Sequence, residues 1–185
     1  MIKRTIFSKE EAVDFLIKQE IVAIMQGASE FGPRALGHRS ILFDPRNTNG
    51  KNIVNKVKMR EWYRPFAGTI MLEHVHEYFE MLTIKESPWM SFAVKAKEKA
   101  IKEVPAIIHV DNTCRIQTVT REQDKHFYEL IECFYKKTGT PILFNTSFNL
   151  AGDALVETIE DALDTMNRSD INYLYLPEGE PNGSN

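Results

Sequence analysis

Two rhythms of apolar residues run along this chain, one recurring every three or four positions and one in short unbroken runs. Ser8-Lys9-Glu10-Glu11 sets a hydroxyl three positions before a carboxylate, the reciprocal cap of a helix start. Ala12, Val13, Phe15, Leu16 and Ile17 follow at helical spacing. A helix is predicted over about 9–19, with the N-terminal Met1-Ile2-Lys3-Arg4 leading straight into it rather than forming a signal peptide. Residues 21–25, 40–43, 66–72 and 141–144 are short apolar runs, the pattern of strands buried on both faces. Residues 91–97 and 115–120 alternate, and 106–110 is rich in β formers. Further helices are predicted over 51–59, 74–81, 121–137 and 159–166. The 121–137 segment carries Phe127, Leu130, Ile131 and Phe134 on one stripe and stops at Gly139. Residues 171–176 read as a last strand, and 178–185 as a disordered tail.

Strands and helices interleave, and no repeat or linker divides them. The pattern predicts a single α/β domain over 1–177, a twisted mixed sheet flanked by helices.

Composition narrows the function. The chain has 185 residues, 43% of them hydrophobic and 26% charged, enough for one globular domain with a core. Its net charge of −3 points away from nucleic acid as a partner. Any anion site must therefore concentrate its own Lys and Arg. No apolar run is long enough to cross a bilayer. Cys114 and Cys133 form no CxxC motif and read as reduced thiols, so the expected compartment is the cytoplasm.

Candidate chemistry starts at residues 30–40. Two glycines, a proline, Arg34 and Arg39 share eleven positions just after an apolar run. Glycine permits turns that other residues resist, and arginine offers a planar charged fork for phosphate or carboxylate. The loop is either an anion site or a staple, with Arg34 and Arg39 paired to Glu30 and Asp44. Lys56, Lys58, Arg60 and Arg64 surround Trp62-Tyr63, aromatics that either stack on a base or fill a core. Arg64 precedes Pro65 at the mouth of a strand, placed to hold a ligand oxygen. Arg115 and Gln117 share one strand face. Ser147 and Asn149 lie two apart beyond an apolar strand, where a hydroxyl and an amide can grip an anion together. His74 and His76 do not share a helix face, so no metal is assigned.

Five segments recur in this order: EFGPRALGHRSIL at 30–42, KMREWYRPFA at 58–67, SPWM at 87–90, HVDNTCRIQTV at 109–119 and TGTPILFNTSFN at 138–149. The set resembles the C-terminal domain of the carbamoyltransferase family that includes nodulation protein U and antibiotic O-carbamoyltransferases, over about 26–176. The resemblance implies a fold similar to YrdC, the threonylcarbamoyl-adenylate synthase. It also implies a reaction in which carbamoyl phosphate is broken down to carbamate, and ATP, carried with Mg2+, converts carbamate to carbamoyl-adenylate and pyrophosphate. A separate N-terminal domain of the actin-like ATPase type, expected to be missing from this chain, would pass the carbamoyl group to a hydroxyl acceptor.

The YrdC-like signature of Lys/Arg with Ser-x-Asn falls on Lys58, Arg60 or Arg64, Ser147 and Asn149. The resemblance thus implies Lys58, Arg64, Arg115 and Ser147 as catalytic residues, with Arg34, Arg60, Asn145 and Asn149 binding substrate. Departures occur at Asn112-Thr113-Cys114-Arg115, where the family usually has Gly-Thr-Ala-Arg, at Gly68 in place of proline, and after Asn149. Two other readings keep the fold: a nucleotide- or RNA-binding module without turnover, and a threonylcarbamoyl-adenylate synthase using threonine and bicarbonate. The GPRALG and NTSFN segments favour the carbamoyltransferase family over the latter.

Overall fold

The computed structural model describes residues 3–177, so the tail expected at 178–185 lies outside the described residues. Among them the strands are β1 (Arg4–Ile6), β2 (Val22–Met25), β3 (Arg39–Phe43), β4 (Ala67–Met71), β5 (Phe79–Glu80), β6 (Phe92–Ala96), β7 (Thr113–Val119), β8 (Ile142–Ser147) and β9 (Tyr173–Tyr175). The helices are α1 (Lys9–Ile17), α2 (Gly50–Val57), α3 (Val75–Tyr78), α4 (Glu98–Glu103), α5 (Lys125–Thr138) and α6 (Ile159–Asn167). The strands join one mixed sheet in the order β1-β9-β2-β3-β8-β4-β7-β6-β5. β1–β9, β2–β9 and β4–β7 are parallel pairs, and the remaining neighbours run antiparallel.

The central strands are apolar throughout because both their faces are covered. Successive side chains on a strand point to opposite sides. Leu42 and Leu143 therefore enter one core, with α1 and α5 and the stripe Phe127, Leu130, Ile131 and Phe134. Ile41, Phe43, Ile142 and Phe144 enter the other, with Val54 of α2, Tyr78 of α3, Ala100 of α4 and Met166 of α6. The result is a single α/β domain with helices on both faces of a mixed sheet, as the interleaved pattern predicts.

Several boundaries differ from the sequence expectation, each for a local reason. Residues 106–110 are not a strand: Pro105 opens a 3-10 turn over Pro105–Ile107, and Val110 is 97% exposed. The long helix begins at Lys125 rather than 121, because the Asp124 carboxylate accepts from the Phe127 amide at 2.9 Å and caps it there. Gly139, at φ 76°, ends it. The helix expected over 74–81 breaks at Phe79, which turns extended and pairs as β5. β1 replaces the helical lead-in expected at the N-terminus by pairing with β9, and the short charged α4 has only Ala100 buried and gives no apolar stripe to read.

The loop between β2 and β3 is fastened to the start of α5. Gly37 sits at φ 115°, and a Cβ there would fall 2.2 Å from Phe127 Cδ1. Gly32, at φ 143°, has nothing within 4 Å. Gly37→Ala is expected to destabilise the fold by about 2–4 kcal/mol through clash and strain, and Gly32→Ala by about 1 kcal/mol through strain alone. Urea unfolding of both variants checks this, and equal losses would mean that the Phe127 contact does not constrain the loop.

Candidate functional site

The 26–40 loop is organised from within by a carboxylate. Glu30 accepts from the amides of Leu36 at 2.6 Å, His38 at 2.8 Å and Arg39 at 3.1 and 3.2 Å. Arg39 turns inward, 4% exposed, and donates to the carbonyls of Gln26 at 2.7 Å, Gly27 at 3.0 Å and Glu157 at 3.2 Å. The staple reading thus holds for Arg39, though with backbone oxygens as partners. Asp44 is bound by Arg46 at 2.6 Å, and Glu30 by backbone amides. Arg34 stays exposed on the outer rim, donating only to the adjacent Pro33 carbonyl at 3.0 Å.

The floor beneath the loop comes from β4, β7 and β8. Gln117 donates to the Leu36 carbonyl at 2.7 Å and accepts from Thr69 Oγ1 at 2.8 Å. Asn145 is 1% exposed, and its Nδ2 donates to Thr69 Oγ1 at 3.0 Å and to the Ala35 carbonyl at 3.3 Å. In this structure Asn145 therefore holds the loop to the sheet rather than lining the cavity. The turn before Arg115 survives its departure from the family pattern, since Asn112 takes φ 60° where glycine is usual.

A cavity of about 650 Å³ opens where α2 ends against the end of β8. Lys58, Arg60, Glu61, Arg64, Ser147 and Asn149 line it, together with Met59 and the 150–152 turn. Lys58 is 2% exposed, and its Nζ donates to the carbonyls of Ser147 at 2.5 Å and Asn149 at 2.9 Å and to Asn149 Oδ1 at 2.9 Å. Ser147 Oγ lies 3.3 Å from Nζ and donates to Asn149 Oδ1 at 2.7 Å. The two side chains that share a spacing of two do act as a pair, and Lys58 joins them. Arg64 pairs with Glu61 at 2.9 Å while both remain solvent-exposed. Trp62 and Tyr63 meet edge to face, 72% and 62% exposed, so core packing is not their use.

The cations crowd one another. Burial, and then the nearby charge of Arg60, pulls Lys58 down to about 7. Burial lowers Arg60 to about 10, with Arg64 and Arg115 adding to the push and Glu61 opposing it. Arg115 is also lowered, by burial first and by Arg34 second. Arg34 and Arg115 are thus not cavity-lining residues, yet their charges join the same chain of repulsion. A cavity that holds like charges together against their repulsion is a place where polyanions gain. Sequence reasoning named Glu30 as a partner of the loop arginines and missed that it binds the loop's own amides instead. It also missed Asn55, which binds Arg60 Nε at 2.6 Å from inside α2.

The sequence profile of the family described as "Carbamoyltransferase C-terminus" matches residues 13–179. Nodulation protein NolNO of Sinorhizobium fredii is 42% identical over 167 residues, covering 89% of this chain and 25% of that protein. The 3'-hydroxymethylcephem-O-carbamoyltransferase of Streptomyces clavuligerus is 37% identical over 145 residues, covering 76% of this chain and 26% of that one. The chain thus spans about a quarter of the length of the curated relatives it matches. Among solved structures, full-length HypF in a phosphate- and nucleotide-bound form superposes on 93% of this chain at TM-score 0.64 and 18% identity, and this chain covers 21% of it. That likeness is one of fold, which is YrdC-like. Among the described residues, no helix is long and apolar enough to cross a membrane.

Lys58 gives a test with a definite sign. Its folded value lies near 7, below the ordinary 10.5, so between these the unfolded chain binds a proton that the folded chain releases. Stability therefore rises with pH across that window. Relative to Lys58→Met, the wild type is expected to gain about 2 kcal/mol between pH 7 and pH 9. Chemical unfolding of both proteins at the two pH values measures it, and parallel curves would place Lys58 at its ordinary value.

Proposed function

The chain belongs to the carbamoyltransferase family, matching its C-terminal portion, and from this we propose that its cavity forms carbamoyl-adenylate from carbamoyl phosphate and ATP. The observation that carries the reading is the convergence of Lys58, Arg60 and Arg64 with Ser147 and Asn149 on one cavity, in a chain whose net charge is −3. The relatives that share the sequence include an O-carbamoyltransferase, and they are about four times as long. Transfer to the final hydroxyl acceptor is accordingly assigned to a domain outside these residues.

The chemistry asks for what these side chains supply. Carbamoyl phosphate and water yield carbamate and inorganic phosphate. A carbamate oxygen then attacks the α-phosphorus of ATP, the bond from that phosphorus to the bridging oxygen breaks, and pyrophosphate leaves with the electron pair. Negative charge is present throughout and shifts toward the leaving group as the bond breaks. Fixed cations in a partly desolvated site lower the cost of that shift, because they need no reorganisation when it occurs. Arg64 is assigned to the reacting phosphate, and Lys58, buried with its protons on Ser147 and Asn149, supports that edge of the cavity and adds its charge from beneath rather than touching the phosphate as the sequence reading expected. Ser147 and Asn149 orient carbamate or phosphate oxygens, each held in turn by the Lys58 ammonium. Arg115 and Arg34 extend the positive field over the outer part of the substrates, and Arg60 binds them at the inner wall. Mg2+ fits as a companion of ATP, since among the described residues the one carboxylate lining the cavity, Glu61, is already paired with Arg64.

Pyrophosphate release by the purified chain with ATP and Mg2+ tests the reading. Release is expected only when carbamoyl phosphate is also present, and Arg64→Ala is expected to lower the rate by about 10²–10³. ATP binding without pyrophosphate release would favour the module that binds without turnover. Release that depends on threonine and bicarbonate would reassign the substrate.

A further inference from the structure

Asn55 lies in the body of α2, 1% exposed, with Val54 and Val57 buried beside it. Asparagine is a mediocre helix former, and a buried amide costs stability unless its groups are bonded. Here the amide is bonded, and every partner falls within residues 60–64. Oδ1 accepts from Arg60 Nε at 2.6 Å, and Nδ2 donates to the carbonyls of Trp62 at 3.0 Å and Arg64 at 3.1 Å. The Asn55 backbone carbonyl accepts from the Arg60 amide at 3.1 Å as well.

These bonds act where repulsion is greatest. Arg64 and Arg115 both disfavour the charge of Arg60. Left to themselves, two long cationic side chains on a turn would swing apart into solvent. Asn55 prevents this from below. It holds Arg60 at Nε, while the Phe66 ring, 4.1 Å from the Arg60 guanidinium carbon, fixes the plane. It also ties the Arg64 backbone to α2, the helix that ends in Lys58. An aspartate could grip Arg60 equally well, but it would cancel the field that attracts an anion and repel the two carbonyls. A neutral amide clamps the arginines and leaves their charge intact.

We infer that Asn55 is a positioning residue: it sets the distance and direction of Arg60 and Arg64 relative to Lys58 for a polyphosphate ligand. The identity of that ligand rests on the carbamoyl-adenylate reading. Inorganic pyrophosphate is the probe, titrated calorimetrically into the wild type, Asn55→Ala, Asn55→Asp, Arg60→Ala and the Asn55→Ala/Arg60→Ala double variant. The Arg60 Nε–H signal of 15N-labelled protein reports the clamp directly. Asn55→Ala is expected to expose that proton to exchange and to weaken pyrophosphate binding about tenfold, the loss of one bond to a charged group. The double variant is expected to bind little worse than Arg60→Ala, because Asn55 acts in large part through Arg60. Asn55→Asp keeps the bond to Arg60 but loses both donors, so it is expected to bind weakly with the Arg60 signal still protected. It carries the comparison if Asn55→Ala does not fold. Wild-type affinity in both Asn55 variants, or fully additive losses in the double variant, overturns the inference alone. A wild type that does not bind pyrophosphate overturns the polyphosphate reading, and the inference with it.

Discussion

Like charges gather only where something holds them, and in this chain the holding point is the Lys58 ammonium. It stands at the end of α2, on one side of the sheet, and donates to the carbonyl of Ser147, the last residue of β8, and to that of Asn149 in the turn just beyond it. Those bonds fix the helix end to the strand end, and the cavity is the space left between them. Arg60 and Arg64 follow on the turn that leaves Lys58, so their positions derive from it. The Ala151 amide donates to the Lys58 carbonyl at 3.0 Å and brings the far wall of the cavity to the same residue. What opposes this arrangement is charge repulsion and burial; what sustains it is apolar surface. Phe144 of β8 and Val54 of α2 share one core, and a fully buried side chain of that size contributes about 1.5–3 kcal/mol each.

The loop that carries Arg34 follows a different rule. It has little apolar surface of its own, so its shape comes from hydrogen bonds made to its backbone. Glu30 gathers three amides, Arg39 gathers carbonyls, and Gln117 and Asn145 reach up from the sheet to take two more carbonyls. The polar residues nearest the site thus divide by depth. Arg39, Gln117 and Asn145 are spent on the backbone and build the platform, while Arg34 and Arg64 reach the solvent. Identical residue types serve opposite ends, and only burial separates them.

That division explains what the sequence could and could not disclose. Runs such as Val22–Met25 and Ile41–Phe43 were legible because a strand covered on both faces must be apolar throughout. The fold class followed from their interleaving with helices. β1 and α4 were not legible, because a three-residue strand and a charged helix with one buried alanine leave no periodic trace. The polar residues of the candidate site were named from motif order and spacing, and the spacing of Ser147 and Asn149 placed them on one side without disclosing the bond between them. Spacing alone could not separate Arg34 from Arg39, five positions apart in one loop. The partners that decide between them, Gln26 and Glu157, are brought together only by the fold. Asn55 escaped notice for the same reason: in sequence it is one more polar residue in an amphipathic helix, and its meaning lies in three atoms of the turn that follows.

The energetic cost of the crowded cations also bears on how the site works. Burial and neighbouring charge lower Lys58, Arg60 and Arg115 together, which is to say that the folded protein disfavours their charged forms. On the proposed function, an anion beside them would offset the neighbouring-charge part of that cost, though not the burial. It would convert mutual repulsion into shared attraction. Under that reading the gain would be largest for a ligand with several negative oxygens spaced to meet several cations. A single carboxylate relieves one contact, whereas a polyphosphate relieves the chain of them. Selectivity for polyanions would then follow from the spacing of the cations, which the bonds of Lys58 to the 147–149 segment and of Asn55 to Arg60 hold in place.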